Sequence, residues 1–198
     1  MRSFIVLFAS APVALGAAIV PRVPEGPWTA GVWRQPVDDD VFFVGDAINA
    51  SGGKFWVHKD TSAYCPDGIE GLDCANYPGS RTVFVGGDNT ISLSVSVPGG
   101  QQVYVAPDGA LSYTTAHSAF MPNGSVATGF SRSQSQAFGA PIVLGMTDRS
   151  WLICPVGEGE PREKTYQLFA VEGGSQKEGC LFTGIRTYTS SADAWQYA

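Results

Sequence analysis

The chain has 198 residues, with 18 Asp and Glu against 12 Lys and Arg and a formal net charge of −6. With no basic run, this balance repels phosphate backbones and anionic lipid heads, which argues against nucleic acid and membrane surfaces as partners. Eleven Phe, seven Tyr and five Trp accompany 24 Gly and 13 Pro, while charged residues make up only 15%, a mixture expected of many strands joined by tight turns.

Residues 1–18 read as a secretory signal peptide. Arg2 precedes an apolar run, Phe4 to Leu15, that is too short to span a bilayer and ends among small residues. Cleavage after Gly16 or after Ala18 both place small side chains where they are needed, and loss of Arg2 takes the net charge to −7. No second apolar stretch approaches membrane length, and Ser190 to Ala198 lacks the apolar end of a glycolipid-anchor signal. A secreted protein with no membrane anchor is expected. Residues 19–40, with Pro21, Pro24, Pro27 and Pro36 and no sustained period, read as an extended Pro-rich arm that packs Trp28 and Trp33 locally. Residues 41–190 are expected to form one β-domain and residues 191–198 a C-terminal tail.

Strand-like runs follow at Val41–Val44, Lys54–His58 and Arg81–Val85, separated by Gly-rich clusters such as Ala50-Ser51-Gly52-Gly53 and Gly86-Gly87-Asp88-Asn89. From Ile91 to Ser118 the chain reads as a three-stranded meander. Ile91, Leu93, Val95 and Val97 alternate with serines, the period of a strand with one buried face. Pro98-Gly99-Gly100 reverses the chain, Gln101 to Ala106 returns with Val103 and Val105 on one face, and Pro107-Asp108-Gly109 turns it again into Ala110–Thr115, where Leu111 and Tyr113 share a face. Ser131–Ala137, dominated by Ser and Gln, reads as a polar connection. Further strands are predicted at Ile142–Leu144, Trp151–Cys154, Thr165–Val171 and Leu181–Tyr188. The fold class is therefore all-β, an antiparallel sandwich or barrel, with a trefoil-like barrel as the alternative.

Cys65, Cys74, Cys154 and Cys180 all lie in the exported part, and an even count in an oxidising compartment reads as two disulfides. Three pairings are possible. The nearest-neighbour one is favoured, Cys65 with Cys74 across a short Pro, Asp and Gly loop and Cys154 with Cys180 across a longer one. Without a C-x₂-C pair, a zinc site is disfavoured, and no metal or cofactor is expected. Asn49-Ala50-Ser51 and Asn123-Gly124-Ser125 fit the N-glycosylation pattern in turn-like sequence.

Catalytic constellations are sparse. His58, beside Lys59 and Asp60, reads as a rim residue in a local charge pair. His117, in Thr114-Thr115-Ala116-His117-Ser118, admits a general-base or hydrogen-bonding role, against the plainer role of satisfying loop backbone groups. Neighbouring side chains in an extended stretch point opposite ways, so His117 and Ser118 do not make a nucleophile and its base, and no G-x-S-x-G elbow is present. Asp38-Asp39-Asp40 lacks Ca²⁺-loop spacing and reads as solvated charge. The remaining signal is aromatic. Trp56, Tyr104 and Tyr113 fall on predicted strands, and with His117 and Ser118 they form the candidate binding surface, unless the second face of the sheet is also buried.

Gly52-Gly53-Lys54-Phe55-Trp56-Val57, Thr61-Ser62-Ala63-Tyr64-Cys65-Pro66, Thr82-Val83-Phe84-Val85, the meander with its Ala116-His117-Ser118-Ala119 ending, Leu152-Ile153-Cys154-Pro155 and Tyr166-Gln167-Leu168-Phe169 occur in that order. Together they resemble the secreted fungal family of IgE-binding proteins, related to PhiA-type cell wall proteins. The run Gly99 to Ala119 is its most specific part. The resemblance implies a secreted or cell-wall-associated fungal glycoprotein, with links to asexual development, allergy, elicitation of plant defence and binding of host defence proteins. It supplies no catalytic residues. The export signal, the two expected disulfides, the sequons and the absence of a catalytic constellation lead to the expectation of a non-enzymatic β-domain that binds wall polysaccharide or a host protein. The alternatives are a secreted carbohydrate-active enzyme drawing carboxylates from separate loops, or a purely structural wall protein.

Overall fold

The computed structural model describes residues 23–35, 42–191 and 194–198. The expected signal peptide, the arm up to residue 22, and the Asp38-Asp39-Asp40 run lie outside the described residues. In chain order the strands are β1 (Trp28–Arg34), β2 (Phe43–Ala47), β3 (Asn49–Ser51), β4 (Lys54–Val57), β5 (Ala63–Tyr64), β6 (Phe84–Leu93) and β7 (Gln101–Val105). They continue with β8 (Leu111–Tyr113), β9 (Phe130–Gln134), β10 (Ile142–Met146), β11 (Arg149–Val156), β12 (Thr165–Glu172), β13 (Leu181–Thr189) and β14 (Gln196–Tyr197).

Nine of them close an antiparallel barrel in the order β10-β9-β6-β7-β8-β4-β12-β11-β13, with β13 returning to β10 at Ile142–Thr187 and Val143–Arg186. Closure removes the open edges that an all-antiparallel sheet would otherwise present. This is the barrel form of the expected all-β fold, with the disulfides paired Cys65–Cys74 and Cys154–Cys180. Strand β1 lies along β13 and touches β6 at Trp28–Phe84, β2 flanks β1, and β5 pairs with β14.

Three segments depart from the sequence reading. Trp28 to Arg34, expected within an extended arm, is strand β1: Trp28, Ala30 and Val32 face the core while Thr29, Gly31 and Trp33 face away. Phe130–Gln134, which overlaps the expected polar connection, is strand β9, anchored in the core by Phe130 and held along its polar remainder by backbone bonds to β6 and β10. Gly86 and Gly87 do not end a strand. Their positive φ lets β6 run on from Phe84 to Leu93.

Rings fill the interior. Trp28 stacks on Phe84 at 4.8 Å, Phe55 meets Phe84 at 5.4 Å and Tyr113 edge-on at 5.3 Å, and Phe43 meets Tyr166 edge-on at 5.2 Å. The expected C-terminal tail is part of this core. Tyr197 is fully buried, its hydroxyl accepting from Val83 N at 2.9 Å and donating to the Arg81 carbonyl at 2.8 Å.

One close approach shapes the outer surface. A β-carbon on Gly31 would stand 2.8 Å from the Gly45 carbonyl oxygen, so β1 and β2 meet at a bulge that only glycine admits. Gly31→Ala is expected to cost about 1–3 kcal/mol by overpacking, read as a fall in the urea midpoint with an unchanged slope.

Candidate functional site

The ledge expected from Trp56, Tyr104 and Tyr113 does not form. Tyr113 turns inward, 4% exposed, and its hydroxyl donates to the Ala198 carbonyl oxygen at 3.0 Å. Tyr104 points away from the core yet is only 9% exposed, because this part of the outer face is covered as well. Leu152 on β11 also points outward and is fully buried, and the loop ending at Cys180 places Lys177 Nζ 4.6 Å above the Phe169 ring and 2.9 Å from the Asp108 carbonyl. Alternation along a strand assigns a face but does not say what lies over it. Trp56 is half-buried, donates through Nε1 to Ser51 O at 2.8 Å and carries Lys59 Nζ 4.4 Å over its ring.

Burial raises the Tyr104 hydroxyl pKa, with the Asp108 charge adding to it, and pushes that of Tyr113 up to about 12, against a smaller lowering by the Gly53 backbone. A phenol whose folded pKa lies above its unfolded value near 10 stabilises the fold fully below pH 10, and that stability is lost as pH rises through the folded value. Unfolding free energy is therefore expected to fall by about 2–3 kcal/mol between pH 10 and 12 on account of Tyr113. In Tyr113→Phe that part of the slope disappears.

Two exposed rings, Phe182 and Tyr188, lie with the half-buried Trp33 on the outer face of β2, β1, β13 and β10. Register places Val44, Trp33 and Gly184 in one row and Ala47, Gly31, Arg186 and Val143 in the next, with Tyr188 beside Thr29 beyond them. Trp33 Nε1 donates to Tyr188 Oη at 2.7 Å, and the Arg186 guanidinium stacks 3.4 Å over the Trp33 ring centre. Val44 (61% exposed), Tyr188 (43%) and Phe182 (40%) lie open around them. Gly31, Gly45 and Gly184 raise no side chain from the floor, so the face is flat. No histidine, serine or cysteine of catalytic type stands in it. Its signal in the sequence was only that Trp33 alternates with Val32 and Tyr188 with Thr187.

His117 and Ser118, the other predicted members, lie in a cleft of about 600 Å³ lined by Pro98, Gly99, Gln102, Thr114, Ala119 and Met121 as well. Residues from both ends of the β7–β8 hairpin thus converge. His117 has φ 61°, a left-handed conformation that a non-glycine residue seldom holds. Ser118 Oγ accepts from Phe120 N at 3.1 Å. His58 is paired differently from expectation: its Nε2 lies 3.1 Å from Asp46 Oδ1 and its Nδ1 3.0 Å from the Lys164 carbonyl, not against Lys59 or Asp60. Of the sequons, Asn123 is exposed in a turn, whereas Asn49 lies on β3 with Nδ2 donating to Lys59 O at 2.8 Å. Among the described residues no three His, Cys, Asp or Glu side chains gather as metal ligands.

A closed, disulfide-stapled β-barrel with a flat aromatic face is a scaffold of the secreted all-β class. Residues 44–198 match the family described as PhiA-like secreted protein. A protein of Arthroderma benhamiae described as an uncharacterized secreted protein is 38% identical over 159 residues, 76% of each chain. The chain belongs to the PhiA-like secreted protein family, and it is a secreted fungal protein. No solved structure matches it.

Proposed function

We propose that this protein is a non-catalytic component of the fungal surface that binds cell-wall polysaccharide through the face built on Trp33, Arg186 and Tyr188. The observation that carries this reading is the hydrogen-bonded pair of indole and phenol over a glycine floor, with the Arg186 guanidinium lying on the indole and the Tyr188 ring open to solvent. The open Tyr188 ring takes the apolar C–H face of a pyranose, while the sugar hydroxyls reach the Tyr188 oxygen and the N–H groups of Arg186, which covers one face of the Trp33 ring. Net negative charge works against a second copy of the same chain as the occupant.

Fractionation tests the reading. Secreted wild-type protein is expected to stay with the insoluble wall fraction through a high-salt wash, because stacking on neutral sugars is not screened by salt. Trp33→Ala combined with Tyr188→Ala is expected to move it to the soluble fraction. Full release of the wild type by salt would overturn the proposal.

A further inference from the structure

The His117 cleft has a chemistry of its own. Thr114 is almost wholly buried at its base, where Oγ1 accepts from Gln102 N at 3.0 Å and keeps its own proton free to donate. Gln102 spends its amide nitrogen on the Ile91 carbonyl at 3.0 Å, which leaves Oε1 as an acceptor. The His117 ring has no hydrogen-bond partner among the described residues, although its backbone is held in the left-handed region by the turn in which Ser118 N donates to Thr115 O at 3.1 Å. Pro98, Ala119 and Met121 supply apolar wall.

No Asp, Glu, Lys or Arg lines this cleft, so a charged ligand would lose hydration there with no opposite charge to replace it. The walls instead offer a donor, an acceptor and an imidazole that is one or the other according to its tautomer. A ligand hydroxyl both donates and accepts, so it satisfies either tautomer. The volume of about 600 Å³ lies within the range of roughly 300–1,000 Å³ usual for small-ligand sites. From this geometry we infer that the cleft binds a neutral saccharide unit, concave where the Trp33 face is flat, and so takes a chain end where that face takes the run of a chain. The inference rests on the polysaccharide reading above.

Soluble chitotriose and laminaritriose, titrated separately into the labelled full-length secreted protein and followed by NMR, test it. Saturable shifts of the His117 ring and the Met121 methyl are expected with at least one of them, at concentrations of about 1 mM or below. Ala119→Trp, which fills the mouth of the cleft from an exposed position, is expected to weaken this binding at least ten-fold. His117→Asn, which tolerates the left-handed backbone, is expected to do the same without unfolding the turn. Trp33→Ala is expected to leave it unchanged. Shifts confined to Trp33 and Tyr188 would overturn the cleft and leave the wall-binding reading standing. Absence of any shift would also overturn the cleft, and the wall-binding reading would then be judged separately by retention on insoluble polymer.

Discussion

Tyr197→Ala is expected to lower the unfolding free energy by about 4–5 kcal/mol, a large part of what a single domain has. Its ring is among the largest fully buried side chains, so truncation loses apolar burial and leaves a cavity. Its hydroxyl is the partner of Val83 N, a donor that stays buried in the variant with nothing to bond. The backbone on either side is held by one side chain: Gln101 Oε1 accepts from Tyr197 N at 2.8 Å, and Gln101 Nε2 donates to Tyr197 O at 2.9 Å and to Thr114 O at 3.1 Å. Loss of the ring therefore loosens the base of the β7–β8 hairpin as well. Tyr197→Phe keeps the packing and forfeits only the hydroxyl, so about 1–3 kcal/mol is expected there. Urea unfolding of the three proteins, compared by midpoint, separates the two effects. Equal midpoints for wild type and Tyr197→Ala would mean that the C-terminal segment is not part of the core.

Removing the Cys154–Cys180 bridge as Cys154→Ala with Cys180→Ala is expected to cost about 3.5 kcal/mol in the chain-entropy account for its 26-residue separation. The Cys65–Cys74 bridge, with a separation of 9, is expected to cost about 2.6 kcal/mol on the same account. The longer staple has a second consequence. It draws the loop that carries Lys177 over Phe169, and through Asp108 that loop reaches the hairpin bearing Tyr104. In the variant lacking this bridge, the outer face of β11 and β12 is expected to open to water, seen as faster amide exchange at Leu152 and Phe169 than at Val103. Uniform exchange across the barrel would contradict this.

Much of the fold was legible. The serine and apolar alternation and the two Pro-Gly turns point to the meander of β6, β7 and β8, although β6 ends at Leu93 rather than at Val97, and the nearest-neighbour cysteine pairing favoured among three is the one that forms. Strand β1 was hidden by the prolines around it, although Trp28, Ala30 and Val32 alternate as a half-buried strand should. Strand β9 carries no such signal, because Ser131, Arg132, Ser133 and Gln134 are polar on both faces and their backbone pairing with β6 and β10 sets the strand. The cleft was half legible. His117 and Ser118 stood out as chemistry, but Gln102 and Thr114 join them only once the hairpin is closed. The aromatic face was not legible at all. Trp33 lies 155 positions from Tyr188, and nothing local says that β1 pairs with β13.

Depletion binding on washed, insoluble chitin and β-glucan tests whether that face binds wall polysaccharide. The wild-type protein is expected to be removed from solution by at least one of the two, with a saturable isotherm that high salt does not abolish. The Trp33→Ala and Tyr188→Ala double variant, shown to be folded by an unchanged urea midpoint, is expected to remain in solution with its affinity at least ten-fold weaker. An isotherm for that variant superimposing on the wild type would contradict the account.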